Sequence, residues 1–325
     1  MQAYAIRTVN DQPVVQWVER DEPILGPTQM RIQMHAASLN RGEFIVGHGL
    51  HGKSDAPQPV GMEGAGVVLE VGAEVRRFTV GQSVMGRCPG AFAPRTVMEE
   101  REAMPLPGAL SFEEAAAVPL TYLTAYDALH EQGQLKAGEW VLINGVTSGV
   151  GVAALQMARA VGAKVIGTSG SADKLNRLHG QGMDLALHTR QPDFHAAVMQ
   201  ATDQRGVNLV VNTVGGSVFA EDIRCLGFEG RMAMVGYVDG SLSATMDLQA
   251  LHAKRLRLFG VSNKLRSAQQ KAAAIPGFMR DVWPAMNSGQ IRPVIDRVFA
   301  WGDLPKAQSH MQTNQHVGKI VLAVA

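Results

Sequence analysis

The sequence predicts an α/β chain in two parts: a β-rich unit, and a unit built on a doubly wound parallel sheet. Three observations carry this expectation. At 325 residues the chain exceeds the ~250 that one hydrophobic core usually holds. Residues 1–120 are punctuated by Gly and Pro and hold short β-like runs with few helical stretches. From Glu139 to about Val261, short apolar strands alternate with amphipathic helices, the arrangement of a parallel sheet covered on both faces.

In order along the chain, the first unit shows β-runs at Met30 to Ala36, Gly66 to Val71 and Gln82 to Met85. The texture changes at Ser111, a helix cap with Glu114 three residues on. A helix from Glu113 to Val118 stops at Pro119, and a second runs from Leu120 to Gln132. Six strands follow: Trp140 to Asn144, Lys164 to Thr168, Leu185 to His188, Leu209 to Asn212, Arg231 to Val235 and Leu256 to Val261. After Ala268 come a helix, the segment from Arg292 to Asp296, and a closing strand at Lys319 to Val324. That strand has no partner nearby and is expected to fold back onto the first unit, so residues 1–120 with 265–325 form one domain and 121–264 the other.

Composition removes several classes of function. Hydrophobic residues make up 46% and charged residues 18%, enough apolar surface for packed cores. The formal charge of +1 provides no broad field for nucleic acid or anionic membrane. The start lacks a basic segment followed by an apolar one, and no apolar stretch reaches the ~20 residues a bilayer requires, so a cytoplasmic protein is expected. Cys88 and Cys225 lie far apart without metal-ligand spacing and read as buried small apolar residues.

The chemistry concentrates in a glycine turn. Trp140 to Asn144 is an apolar strand; Gly145, Ser148, Gly149, Val150 and Gly151 lie on the turn and the start of a helix with apolar residues at Val152, Leu155 and Val161. Small residues let the backbone approach a diphosphate, and the helix N-terminus presents N–H donors and a positive dipole end. The next strand selects the dinucleotide. A site for the unphosphorylated form wants a carboxylate about 20 residues past the turn. Here Gly167-Thr168-Ser169-Gly170-Ser171 leads to Lys174, and Asp173 reads as a helix cap. Hydroxyls and an ammonium suit a 2′-phosphate, so NADPH is the expected cofactor, Lys174 as a solvated helix residue being the alternative.

Six blocks in order now mark a resemblance that covers nearly the whole chain. They begin at Val60 (Val-Gly-Met-Glu-Gly-Ala-Gly-Val-Val), Pro119 (Pro-Leu-Thr-Tyr-Leu-Thr-Ala-Tyr), Gly145, Val211 (Val-Asn-Thr-Val-Gly-Gly), Gly230 (Gly-Arg-Met-Ala-Met-Val-Gly) and His316 (His-Val-Gly-Lys-Ile-Val-Leu). The chain resembles the zinc-free quinone oxidoreductase branch of the medium-chain dehydrogenase/reductase superfamily. The resemblance implies a GroES-like catalytic domain, a Rossmann-type NADPH domain, and an active site in the cleft. It also implies that Asn40 and Thr124 sit by the nicotinamide and its ribose. Val214 and Gly215 would line the cofactor, Val235, Gly236, Tyr237, Phe259 and Val261 would flank the nicotinamide, and Lys319 would reach a phosphate or ribose. Asn40 also reads as a turn-former beside Arg41. Thr189 stands where relatives carry a cofactor-side Tyr, and Glu43, Ile45 and His51 replace an Asp and two Tyr. Zinc-dependent relatives use a Cys at the place of Ser38 and a His at that of Met62, so no metal is expected.

These readings converge on hydride transfer to a quinone or another α,β-unsaturated carbonyl, with Asn40 orienting the acceptor and Arg41 and His51 as further donors. A homodimer, joined through the strand at Leu256 to Val261, is the expected assembly. Two alternatives share the fold: an NADPH-binding protein without turnover, and an enoyl-thioester reductase, which the absence of a basic groove disfavours. Gly47 to Ser54 matches the P-loop spacing, but Pro57 and Pro59 bar the helix it needs. No nucleophile elbow is present for an esterase.

Overall fold

A computed structural model of the chain describes residues 1–45, 54 and 56–324. In chain order its strands are β1 (Gln2–Val9), β2 (Gln12–Glu19), β3 (Gln29–Ser38), β4 (Gln58–Pro59), β5 (Glu63–Val71), β6 (Ser83–Arg87), β7 (Arg95–Glu99), β8 (Ala103–Pro105), β9 (Trp140–Asn144), β10 (Lys164–Ser169), β11 (Leu185–His188), β12 (Val207–Asn212), β13 (Leu226–Met234), β14 (Arg257–Gly260), β15 (Ile295–Ala300) and β16 (Lys319–Ala323). The helices are α1 (Phe112–Ala116), α2 (Pro119–Tyr126), α3 (Gly149–Val161), α4 (Ala172–Asn176), α5 (His195–Ala201), α6 (Gly216–Cys225), α7 (Leu248–Ala253), α8 (Ala268–Ala272), α9 (Ile275–Asp281), α10 (Trp283–Asn287) and α11 (Leu304–Gln312). Contacts divide the chain into one unit of residues 1–120 with 264–325 and another of 121–263.

In the first unit a sheet of order β15-β16-β3-β5-β6-β8, with β7 also on β3, stands beside a small sheet β2-β1-β4. Strand β3 forms because its apolar residues alternate: Met30, Ile32 and Met34 point into the core, while Arg31 and Gln33 point away. They pack with Val68, Val84, Phe92, Met98 and Leu322. The closing strand β16 runs antiparallel to β3 with Val321 opposite Ser38, and parallel to β15. This pairing carries the residues at 319–320 to the end of β3, where Leu39 N donates to Ile320 O at 3.0 Å. The Ser111 cap is the anticipated box: its side chain accepts from Glu114 N, and Glu114 reaches back to Ser111 N.

The second unit is a parallel sheet of order β11-β10-β9-β12-β13-β14. The apolar runs of β9, β10 and β12 are buried as strands covered on both faces must be. The order reverses between β9 and β12, the switch point at which such sheets bind ligands beyond the strand carboxyl ends. One helix departs from its expected form. The run to Gln132 is α-helical only through Tyr126 and continues as a π-helical turn, Asp127–Glu131. There Gln132 N bonds Asp127 O at 3.0 Å, and the Gln132 side chain ties Asp127 Oδ1 at 2.9 Å and Gly260 O at 3.3 Å, partners that an uninterrupted α-helix would miss. Among the described residues no helix is long and apolar enough to cross a membrane.

Candidate functional site

In the first unit the site is assembled around Glu63, the first residue of β5, whose side chain is fully buried. Its Oε1 accepts from Ser38 Oγ at 2.5 Å, Asn40 Nδ2 at 2.8 Å and Lys319 Nζ at 2.9 Å; its Oε2 accepts from Leu120 N at 2.6 Å. A buried carboxylate is tolerable only with such donors, and the ammonium supplies the opposite charge. Lys319 in turn donates to Leu39 O at 2.9 Å and Asn40 Oδ1 at 2.7 Å. These neighbours orient the Asn40 amide: oxygen to the ammonium, nitrogen to Glu63 and, at 2.9 Å, to Glu43 Oε1. Glu43 is 1% exposed, and its Oε2 has no hydrogen-bond partner among the described residues. Burial pushes its carboxyl up to about 8, with the Glu63 charge adding to the shift and the Asn40 bond and Lys319 opposing it.

Two expectations change here. Lys319 does not stand ready for a phosphate or ribose, because β16 pairing buries its ammonium among three oxygens. Arg41 points to α11, donating to Asn314 Oδ1 at 3.1 Å and Met311 O at 3.5 Å, so it is no donor for an acceptor beside Asn40. His51 and nearly all of the P-loop-like segment lie outside the described residues.

The residues do not fit a zinc ion. The Ser38 hydroxyl is spent on Glu63, Met62 offers only a thioether, and the Lys319 ammonium already occupies the carboxylate oxygen nearest Ser38. Among the described residues no group of three or more His, Cys, Asp and Glu is placed to hold a metal. Cys88 is buried, and burial raises its thiol further from ionisation.

In the second unit the predicted cofactor residues gather at the carboxyl ends of the strands. Gly145 follows β9, and Ser148 caps α3 by accepting from Gly151 N at 3.0 Å. The amides of Gly149 and Val150 open the helix, where no intrahelical acceptor exists. Gly151 has to be glycine: a Cβ there would lie 2.4 Å from Gly145 O. Ser169 ends β10 and Gly170 follows it. Val214 and Gly215 follow β12, Val235 and Gly236 follow β13, and Phe259 and Val261 lie on and just after β14. Tyr237 is exposed, and Thr124 lies on α2.

The 2′-phosphate edge differs in detail from expectation. Ser171, not Asp173, caps α4, its Oγ accepting from Lys174 N at 3.4 Å, because the residue three before the bonded amide is the serine. Ser169 Oγ accepts from Ser171 N at 3.3 Å. Thr189 is turned into its own loop, bonding Gln191 O at 2.9 Å and Asp193 Oδ1 at 2.5 Å. A residue missed from sequence, Arg190, lies over Gly170: a Cβ there would be 2.8 Å from Arg190 Cγ and 3.3 Å from its Cζ. The signal for it was a cation just past the strand that pairs with β10.

Known proteins share this fold. An alcohol dehydrogenase GroES-like domain model matches residues 26–124, and a zinc-binding dehydrogenase model matches residues 149–275. The highly reducing polyketide synthase lcsB of Purpureocillium lilacinum is 31% identical over 314 residues, 94% of this chain, which spans only 12% of that synthase's length. A solved quinone oxidoreductase of Pseudomonas syringae superposes with a TM-score of 0.87 at 28% identity, each chain covered in full. The solved CurK enoyl reductase does so with a TM-score of 0.84 at 25% identity, again over both chains in full. A GroES-like unit, a doubly wound nucleotide-binding unit and this likeness define an oxidoreductase. The chain belongs to the medium-chain dehydrogenase/reductase superfamily.

Proposed function

We propose that this chain is a zinc-independent, NADPH-dependent reductase of carbon–carbon double bonds conjugated to a carbonyl, with quinones and enones as acceptors. The observation that carries the reading is the Ser38–Glu63–Lys319 network. A donor set that refuses zinc leaves no Lewis acid to acidify an alcohol, so the acceptor has to arrive already polarised. NADPH, when bound, supplies a hydride from its nicotinamide. The protein's part is placement. The Gly149 and Val150 amides and the dipole of the thirteen-residue helix α3 take the diphosphate, and Lys174 and Arg190 take the 2′-phosphate. Asn40 is held in one orientation by charges on both sides, and the Glu43 carboxyl bonded to it keeps a proton below about pH 8.

The polyketide synthase and CurK likenesses favour a second reading, in which the unsaturated carbonyl is an enoyl thioester. One measurement separates the two: NADPH oxidation by the purified chain against quinones, enones and a crotonyl thioester. Faster turnover of quinones and enones is expected. Preference for the thioester moves the assignment to the second reading, and no oxidation with any acceptor overturns both. The edge position of β14 supports a homodimer that continues the sheet across a twofold axis, which a sizing measurement checks.

A further inference from the structure

Behind the switch point of the second unit lies a buried carboxylate that the proposed chemistry does not use. Asp222, on α6, has no exposed surface. Its Oδ1 accepts from Asn144 Nδ2 at 2.5 Å and its Oδ2 from Asn212 Nδ2 at 2.9 Å. Both partners are neutral amides, and burial raises the Asp222 pKa well above the usual carboxylate range. As a contributor to stability alone this is a poor arrangement, since an apolar side chain in its place would avoid the desolvation cost.

What the carboxylate does is orient two asparagines at the strand ends. Asn144 closes β9: its Oδ1 accepts from Thr168 Oγ1 at 2.8 Å, at the end of β10, and its main-chain oxygen accepts from Thr213 Oγ1 at 2.7 Å. Asn212 closes β12: its Oδ1 accepts from Val214 N at 2.9 Å and Gly215 N at 2.8 Å, and its Nδ2 also donates to Gly215 O at 3.0 Å. Two backbone donors on one side leave the Asn212 amide a single orientation, nitrogen toward Asp222. The turn it holds is strained. Gly215 sits at φ +130° and ψ −153°, a region open only to glycine, and persists because its surroundings over-determine it.

We propose that Asp222 is a positioning residue for the dinucleotide, acting through Asn144 and Asn212 to set the Gly145 and Gly215 turns on either side of the switch point. The proposal rests on the NADPH reading above. Replacing one of its oxygens by a donor leaves one of the two amides without its acceptor, and the two turns lose their shared reference while the adenosine end, held by Lys174 and Arg190, keeps its own.

The test is calorimetric titration of the full chain with NADPH and with adenosine 2′,5′-bisphosphate. Asp222→Asn is expected to weaken NADPH about tenfold, the loss of one buried hydrogen bond, and the bisphosphate less than about twofold. Damage to the fold as a whole would weaken both alike. The double variant Asn212→Asp with Asp222→Asn reverses the pair: the new carboxylate still accepts from Val214 N and Gly215 N, and the new amide donates to it. It is expected to recover NADPH binding to within about threefold of the parent, short by the lost bond to Gly215 O. Asn212→Ser, too short to reach Asp222, repeats the test should Asp222→Asn not fold, with the same NADPH-selective loss expected. Unchanged NADPH affinity in the folded variants, equal loss for both ligands, or a double variant no better than the single overturns the proposal. A parent chain that takes up no NADPH overturns the functional reading instead.

Discussion

Replacing Glu43 by Gln tests whether the first unit stores a neutral carboxylic acid. The carboxyl is buried and displaced from 4.5 to about 8, chiefly by desolvation. A raised carboxyl pKa means the folded state holds a proton that the unfolded chain has released between those two values. Stability from this group is therefore complete below about pH 4.5 and is lost as pH rises toward about 8. At ~1.4 kcal/mol per unit the displacement corresponds to a ceiling of about 5 kcal/mol, and relaxation around the ionised form brings the expected loss to roughly 2–4 kcal/mol. Glu43→Gln keeps an oxygen for Asn40 Nδ2 and cannot ionise, so its stability should stay level through the same window. Urea unfolding followed by circular dichroism at about pH 5.5, 7 and 8.5 reads the slope, and the difference between parent and variant cancels every other titrating group. Parallel pH dependences in the two proteins would refute the buried-acid argument.

Three further outcomes follow from named contacts. Lys319→Met strands the buried Glu63 charge and should cost about 3–5 kcal/mol, most of it recovered by adding Glu63→Gln; melting curves that show no recovery contradict the pairing. Gly151→Ala puts a Cβ 2.4 Å from Gly145 O, so the turn must open and calorimetry should find NADPH uptake lost, whereas retained uptake would remove the turn from the site. Lys174→Ala and Arg190→Ala should each raise the NADPH Kd about tenfold and leave NADH unchanged; equal effects on both nucleotides would deny them the 2′-phosphate.

Much of the fold was legible because its determinants are local. The capping box at Ser111 and Glu114 and the buried runs of β9 and β12 each depend on residues a few positions apart, and the structure places them as the pattern predicts. The glycine turn was readable for the same reason. The Asp173 cap was misread because two residues able to cap, Ser171 and Asp173, stand two positions apart, and only the backbone path decides which one reaches the Lys174 amide.

What sequence alone determined, then, is the six strands of the parallel sheet and where small residues let a nucleotide approach. Tertiary structure decided the partner of each charge. Lys319 looked available until β16, lying against β3, delivered it to a glutamate 256 positions away, and Arg41 turned to a carbonyl 270 positions on. Nothing in the local sequence marks Asp222, and only the folded sheet brings Asn144, 78 positions away, against it. Helical and strand periodicity depend on neighbours a turn or a pleat apart, whereas a charge is assigned its role by whichever strands happen to pair around it, and that choice is made only when the core closes.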